Sequence, residues 1–363
     1  MELLIKRNEV EAMDINGFLM SKDTVIAEIK DNDLNIKNET LLPLFLKNFP
    51  NIEGWLKSRA IDTHRTNSRL LKKALRLTEA EEAELVLSVN AATITDTYWL
   101  KKPDDNLTYE DIRFKNNMFD KLALYGDPDS FNNEYSRTPE LTNIGSYEKC
   151  WRIIDEKWWL YKQGNELEQF SELFICEFGK ALEFSMAHYE KDGKYVRSLD
   201  FTDGASVNFE LAESLTGSDE DYTRNFAEIK KLSPKAAKQY IEMIYLDTLC
   251  FNMDRHTKNY GLIRDVKNGE ILGLAPNFDN NIALISRGYP KNIERQNDKL
   301  ISLFIEFLEN NEDARDCFLK LEHSEITEKL IIDCCDKVPV KADKDFICRF
   351  ILNAQHQIMS EIK

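Results

Sequence analysis

Two residue types at fixed spacing, an aspartate and an asparagine five positions beyond it, meet a second aspartate on the far side of a short ribbon. Asp254 and Asn259 have the first spacing within Asp254-Arg255-His256-Thr257-Lys258-Asn259, and Asp279 closes the stretch Pro276-Asn277-Phe278-Asp279. Phosphoryl transfer needs a carboxylate that orients or deprotonates a hydroxyl, and an amide oxygen that reaches a metal ion from the same loop. A second carboxylate then completes the oxygen-rich shell that magnesium demands. Asp254 is therefore the candidate catalytic carboxylate, Asn259 and Asp279 are the candidate metal ligands, and the implied cofactors are ATP and Mg2+. Of the five histidines only His256 lies in a motif, either as a catalytic-loop participant or as a brace for the loop.

The flanking elements suit the task. Tyr240 to Phe251 has helical periodicity at Ile241, Ile244, Tyr245 and Leu249 and ends at the loop. Tyr260 to Ile263 and Ile271 to Ala275 read as two strands joined at Asn268-Gly269, a hairpin signal because both residues tolerate positive φ. Upstream, Trp158 to Lys162 reads as a strand that presents Lys162 at its end. The helix that follows repeats apolar residues at Leu167, Phe170, Leu173, Phe174, Phe178, Ala181 and Leu182. In the kinase template a strand lysine contacts phosphate oxygens while it pairs with a helix glutamate. Glu172 is the candidate partner of Lys162, with Glu166, Glu168 and Glu177 as rivals on the same helix.

The Asp254 to Asn259 segment resembles the D-R-H-x-x-N loop shared by phosphatidylinositol kinases and the HipA-like serine/threonine kinases. Ala275-Pro276-Asn277-Phe278-Asp279 resembles the segment of the HipA-like group in which the last aspartate binds metal. Asn280 follows Asp279, so the glycine of the usual Asp-Phe-Gly triplet is lacking. The resemblance covers about residues 136 to 300 and implies a short glycine-containing phosphate loop before the strand at Lys149-Cys150-Trp151. Gly145 and Ser146 are its candidates for ATP contact, and Ser146 or Thr142 for autophosphorylation. No G-x-x-x-x-G-K-S/T string occurs. The implied activity is transfer of the γ-phosphate of ATP to a Ser or Thr hydroxyl of a protein substrate, with a small antitoxin-like regulatory protein as a further partner. A small-molecule or lipid kinase, or a nucleotide-binding subunit of a toxin and antitoxin pair, are the competing readings.

Composition bounds these readings. The chain has 363 residues, 42% of them hydrophobic and 10% aromatic, enough for a real core. Its net charge of −16 and the lack of a basic stripe argue against direct nucleic-acid binding. No signal-like h-region and no run approaching 18 apolar residues point to a cytoplasmic protein without a membrane segment. Seven cysteines without a C-x-x-C pair read as core residues in a reducing compartment.

The expected fold class is α+β, two-lobed and protein-kinase-like, with an additional N-terminal subdomain. Residues 1–135 form that subdomain, with a turn at Asn16-Gly17 and helices near Leu41 to Leu46, Ile52 to Lys57, Arg65 to Leu77 and Thr78 to Val89. The blocks Trp55 to Arg59 and Thr95 to Leu100 carry no assignable chemistry. Residues 136–204 form a small lobe that includes a strand near Lys194 to Leu199 and ends in a hinge at Ser198 to Gly204. Residues 205–363 form a helical lobe interrupted only by the 260–275 ribbon.

Overall fold

The structure, a computed structural model, describes residues 13–65, 67–127, 137–287 and 298–362. The expected boundary at 135/136 lies outside these residues. Three antiparallel sheets carry the architecture. Strands β1 (Gly17–Ser21), β2 (Thr24–Lys30), β3 (Asp33–Ile36) and β4 (Tyr98–Lys101) form the first, in the order β3-β2-β1-β4. Strands β5 (Lys149–Ile154), β6 (Lys157–Lys162), β7 (Tyr189–Asp192) and β8 (Tyr195–Leu199) form the second, in the order β5-β6-β8-β7. Strands β9 (Val207–Leu211), β10 (Gly261–Asp265) and β11 (Ile271–Leu274) form the third, in the order β11-β10-β9.

Two helices hold the large core together. The helix Glu166–Ala181 starts on Asn165, whose side chain accepts from the backbone N–H groups of Leu167 and Glu168 while Glu168 reaches back to Asn165 N. Its Phe170, Phe174 and Phe178 stack along one buried face. The helix Pro234–Cys250 begins with Ser233 as cap and proline in the first turn, and stops at Phe251, which adopts a left-handed φ of 51°. That stop turns the chain directly into the Asp254 loop.

Three expectations need correction. Asn16-Gly17 is no turn: Gly17 opens β1, and a Cβ there would overlap the carbonyl of Lys101, so the glycine serves close strand approach. The hairpin turn sits at Lys22-Asp23 instead. The large lobe is not helical outside one ribbon, because β9 adds a third strand in register with β10. In the small lobe β7 pairs with β8 beyond the single strand expected near residues 194–199.

Residues 13–127 pack against both other sheets. Arg264 on β10 is fully buried and donates to Thr40 O at 2.7 Å, Leu42 O at 3.1 Å and Tyr98 Oη at 3.1 Å, and it pairs with Glu210 on β9. Asn208, also on β9, accepts from Thr97 N at 2.8 Å. On the other side, buried Arg65 donates to Lys149 O at 2.7 Å and Asn143 O at 3.1 Å, and faces buried Glu140. These bonds lock the cleft walls together, since an unpaired buried guanidinium would be costly.

Candidate active site

Lys162 ends β6 with its ammonium turned into the cleft between the second and third sheets. Its Nζ lies 2.5 Å from Asp279 Oδ1 and 3.3 Å from Glu172 Oε2. Glu172 is the seventh residue of its helix and also accepts from Asn280 N at 3.2 Å. Of the rivals, Glu166 is exposed, Glu168 caps its own helix, and Glu177 pairs with Lys180 and Lys337. Burial alone would drive the Lys162 ammonium to lose its proton, but Asp279 and Glu172 hold its pKa well above the ordinary value. Burial likewise opposes the Asp279 carboxylate, and Lys162, Lys149 and Arg255 overcome it and bring the pKa to about 2.

Asp279 follows β11 in a left-handed conformation with φ 63°, its N–H donating to Tyr189 Oη at 3.1 Å. A residue with a β-carbon in that region carries strain that the surroundings must offset. The offset comes from Arg255, the second residue of the Asp254 loop. Its guanidinium is buried, binds both Asp247 oxygens at 2.8 and 3.0 Å, and donates to Phe278 O, Asn277 Oδ1, Asn280 Oδ1 and Asn259 O at 2.6 to 2.8 Å. One side chain thus ties the Asp254 loop to the Asp279 segment and to the helix before it.

Within the loop, Asn259 Nδ2 donates to Asp254 O at 2.8 Å, and the residue lines the cleft. His256 accepts from Lys258 N through Nδ1 at 3.2 Å and lines the cleft half-buried, so its loop-bracing contact is the one seen. Gly145 has φ 109°, and a Cβ there would overlap Lys149 Nζ. Ser146 is exposed at the same cavity. Thr142 is buried, its hydroxyl donating to Ala92 O at 2.9 Å and Pro139 O at 3.3 Å, so it is withdrawn from the cleft chemistry. A cavity of about 560 Å³ joins these groups, and Leu199, Phe201, Asp254 and Asn259 are among the residues that line it. Phe201 meets Phe209 and Phe278 at 5.2 and 5.8 Å between ring centres, a contact that couples the 198–204 segment to β9 and to the residue before Asp279.

Sequence reasoning missed Lys149, which opens β5 buried beside Gly145. Burial pushes its ammonium pKa down to about 8, against the pull of Asp279 and with Lys162 and Arg65 adding to the fall. The available signal was its position, four residues after the glycine at the first strand residue. The role of Arg255 was also missed, although the motif contains it. Tyr189 gave no signal, because β7 is only four residues long.

The donor set fits magnesium held with a nucleotide. Among the described residues no cluster of three His, Cys, Asp or Glu side chains forms a metal cage. Asn259 and Asp279 offer hard oxygen ligands, and magnesium characteristically takes one or two protein oxygens plus substrate phosphates. No helix of the described residues is long and apolar enough to cross a membrane.

No family model and no curated sequence matches the chain. Solved structures do. The proinflammatory kinase CtkA of Helicobacter pylori superposes with a TM-score of 0.51 at 20% identity, over 60% of this chain and 90% of that one. HipA of Shewanella oneidensis MR-1, solved as a toxin and antitoxin complex with HipB and operator DNA, superposes with a TM-score of 0.53 at 12% identity, over 95% of this chain and 96% of that one. Identities this low speak for architecture alone. The chain has the mixed α+β kinase fold of the HipA-like group.

Proposed function

We propose that the protein is an ATP- and Mg2+-dependent serine/threonine protein kinase of HipA-like type. The observation that carries this reading is the ion pair of Lys162 with Glu172 and Asp279, which brings together one cation and two carboxylates from separate elements beside the Asp254 loop. Magnesium, when bound, would neutralise phosphate charge and fix the geometry of transfer. Asn259 and Asp279 would hold it. Lys162 would contact phosphate oxygens, with Glu172 keeping its position and charge. Lys149 and the backbone at Gly145 and Ser146 would take the remaining phosphate oxygens, since a buried ammonium beside an open glycine is matched by an anion. Asp254 would accept the proton of the attacking hydroxyl, and His256 would keep the loop in shape.

The acceptor is a protein hydroxyl, and the fold shared with HipA makes a small antitoxin-like protein a reasonable partner. Intact-mass spectrometry after incubation with Mg2+ and ATP, with a generic protein acceptor present, tests the reading. Phosphate should be added to the acceptor or to the chain itself, and Asp254→Asn should abolish it. Thermal stabilisation by MgATP without phosphate on any protein would leave a nucleotide-binding subunit as the better account.

A further inference from the structure

The blocks Trp55 to Arg59 and Thr95 to Leu100, which carry no chemistry in the sequence, meet in the structure. Arg59 binds both Asp96 oxygens at 2.9 Å, donates to Ala91 O at 2.9 and 3.1 Å, and lies 4.5 Å over the Trp55 ring. A buried two-pronged pair of this kind fixes geometry as well as charge. The chain that leaves it, residues 61–67, therefore starts from an anchored point.

That segment runs along the loop before β5. Ile61 N donates to Leu141 O at 2.9 Å, and Asn67 N donates to Glu148 Oε1 at 3.1 Å. Between them Arg65, 1% exposed, donates through Nη1 to Asn143 O at 3.1 Å and through Nη2 to Lys149 O at 2.7 Å. One guanidinium thus bridges the two ends of the stretch 143–149, which contains Gly145 and Ser146. Buried Glu140 backs the same ends, accepting from Asn143 Nδ2 at 2.9 Å and from Trp151 N at 2.6 Å. Among the described residues the N–H groups of Ile144, Gly145 and Ser146 find no acceptor, and Lys149 Nζ sits beside the glycine. A loop with closed ends, open amides at its middle and an ammonium alongside is arranged for an anion. Arg65 itself does not line the cavity.

We propose that Arg65 is a positioning residue for the phosphates of the nucleotide, setting the span of the 143–149 loop from outside the cleft. This rests on the kinase reading above. The N-terminal residues thereby supply part of the nucleotide affinity through Arg65, which does not touch the ligand.

Equilibrium binding of MgATP and of adenosine to the full chain tests this, since only MgATP uses the loop. The parent should prefer MgATP. Arg65→Met should weaken MgATP roughly tenfold or more and adenosine by less than about twofold. Glu140 keeps its bonds from Trp151, Asn143 and Asn117 in that variant, and far-UV circular dichroism checks the fold. Arg65→Lys restores the charge without the fork, so it should still lose roughly fivefold for MgATP. It decides the matter if Arg65→Met does not fold. Arg264→Met, which releases the same N-terminal residues from β10, should keep the parent's preference. Folded Arg65 variants that keep the preference within about twofold overturn the proposal and leave the kinase reading standing. An equal loss in Arg264→Met does the same, because the effect would then be a general loosening. A parent that binds neither ligand brings down both.

Discussion

Two buried arginines, Arg255 and Arg264, use the same chemistry for different ends. Each sits with almost no exposure, pairs with a carboxylate and donates to backbone carbonyls from distant segments. Arg255 joins groups that would touch the nucleotide and metal, because its partners flank Asp254, Asn259 and Asp279. Arg264 joins β10 to the loop at Thr40 and Leu42 and to Tyr98, and none of these bonds reaches the segments of those donors. Equal burial therefore does not mean equal catalytic weight: what counts is which segments a buried hub holds in register.

The largest effect is expected at the chemistry itself. Asp279→Asn removes the charge proposed to hold the metal and should lower phosphoryl transfer on the order of a thousandfold or more, measured as labelled phosphate per minute at saturating ATP. Next comes Arg255→Met, which strands Asp247 and several carbonyls. It should cost about 3–5 kcal/mol of stability in denaturant titration and reduce turnover by roughly a hundredfold, because a misplacement near 1 Å is felt on that scale. Arg264→Met should cost a similar ~3–5 kcal/mol yet keep turnover within about fivefold well below the melting temperature, roughly 1 kcal/mol of barrier. Equal losses of turnover in the two arginine variants would erase the distinction between the hubs.

Lys149 gives the smallest and most specific effect. Lys149→Gln should weaken ATP binding roughly tenfold to a hundredfold in calorimetry, the range for a hydrogen bond to a charged group, with the fold intact. Its ammonium is charged below pH of about 8 in the folded protein. ATP affinity should therefore fall as pH rises through about 8, and the variant should lose that dependence. The groups that set this charge are Asp279, Lys162, Arg65 and Glu140. For folding the sign is opposite: the folded pKa lies below the unfolded value of 10.5, so burying the charged form costs stability below about pH 8, and the cost is relieved as pH rises toward 10.5.

The proposed donors of the candidate site could be named from sequence because they are local. Asp254, Asn259 and Asp279 lie within 26 residues, and the hairpin signal at Asn268-Gly269 says how the chain folds between them. Lys162 and Glu172 were legible from a strand followed by a periodic helix. What stayed hidden depends on contacts between remote segments. Strand β9 reads Val-Asn-Phe-Glu-Leu, and its Asn208 and Glu210 suggest a solvated surface, yet both are buried against Thr97, Tyr98 and Leu44. Gly17 signalled a turn because glycine permits one, whereas here it admits the Lys101 carbonyl. Arg65 reaches Asn143 and Lys149, a segment about 80 residues away, and no local pattern encodes that contact.

The most direct measurement is a crystal structure of the full chain with Mg2+ and a non-hydrolysable ATP analogue. The account predicts a metal ion between the Asn259 amide oxygen, the Asp279 carboxylate and the phosphates, with Lys162 and Lys149 on phosphate oxygens and Asp254 facing the γ-phosphate. A nucleotide bound outside this cleft, or phosphates and metal that leave Asn259 and Asp279 untouched, would contradict it.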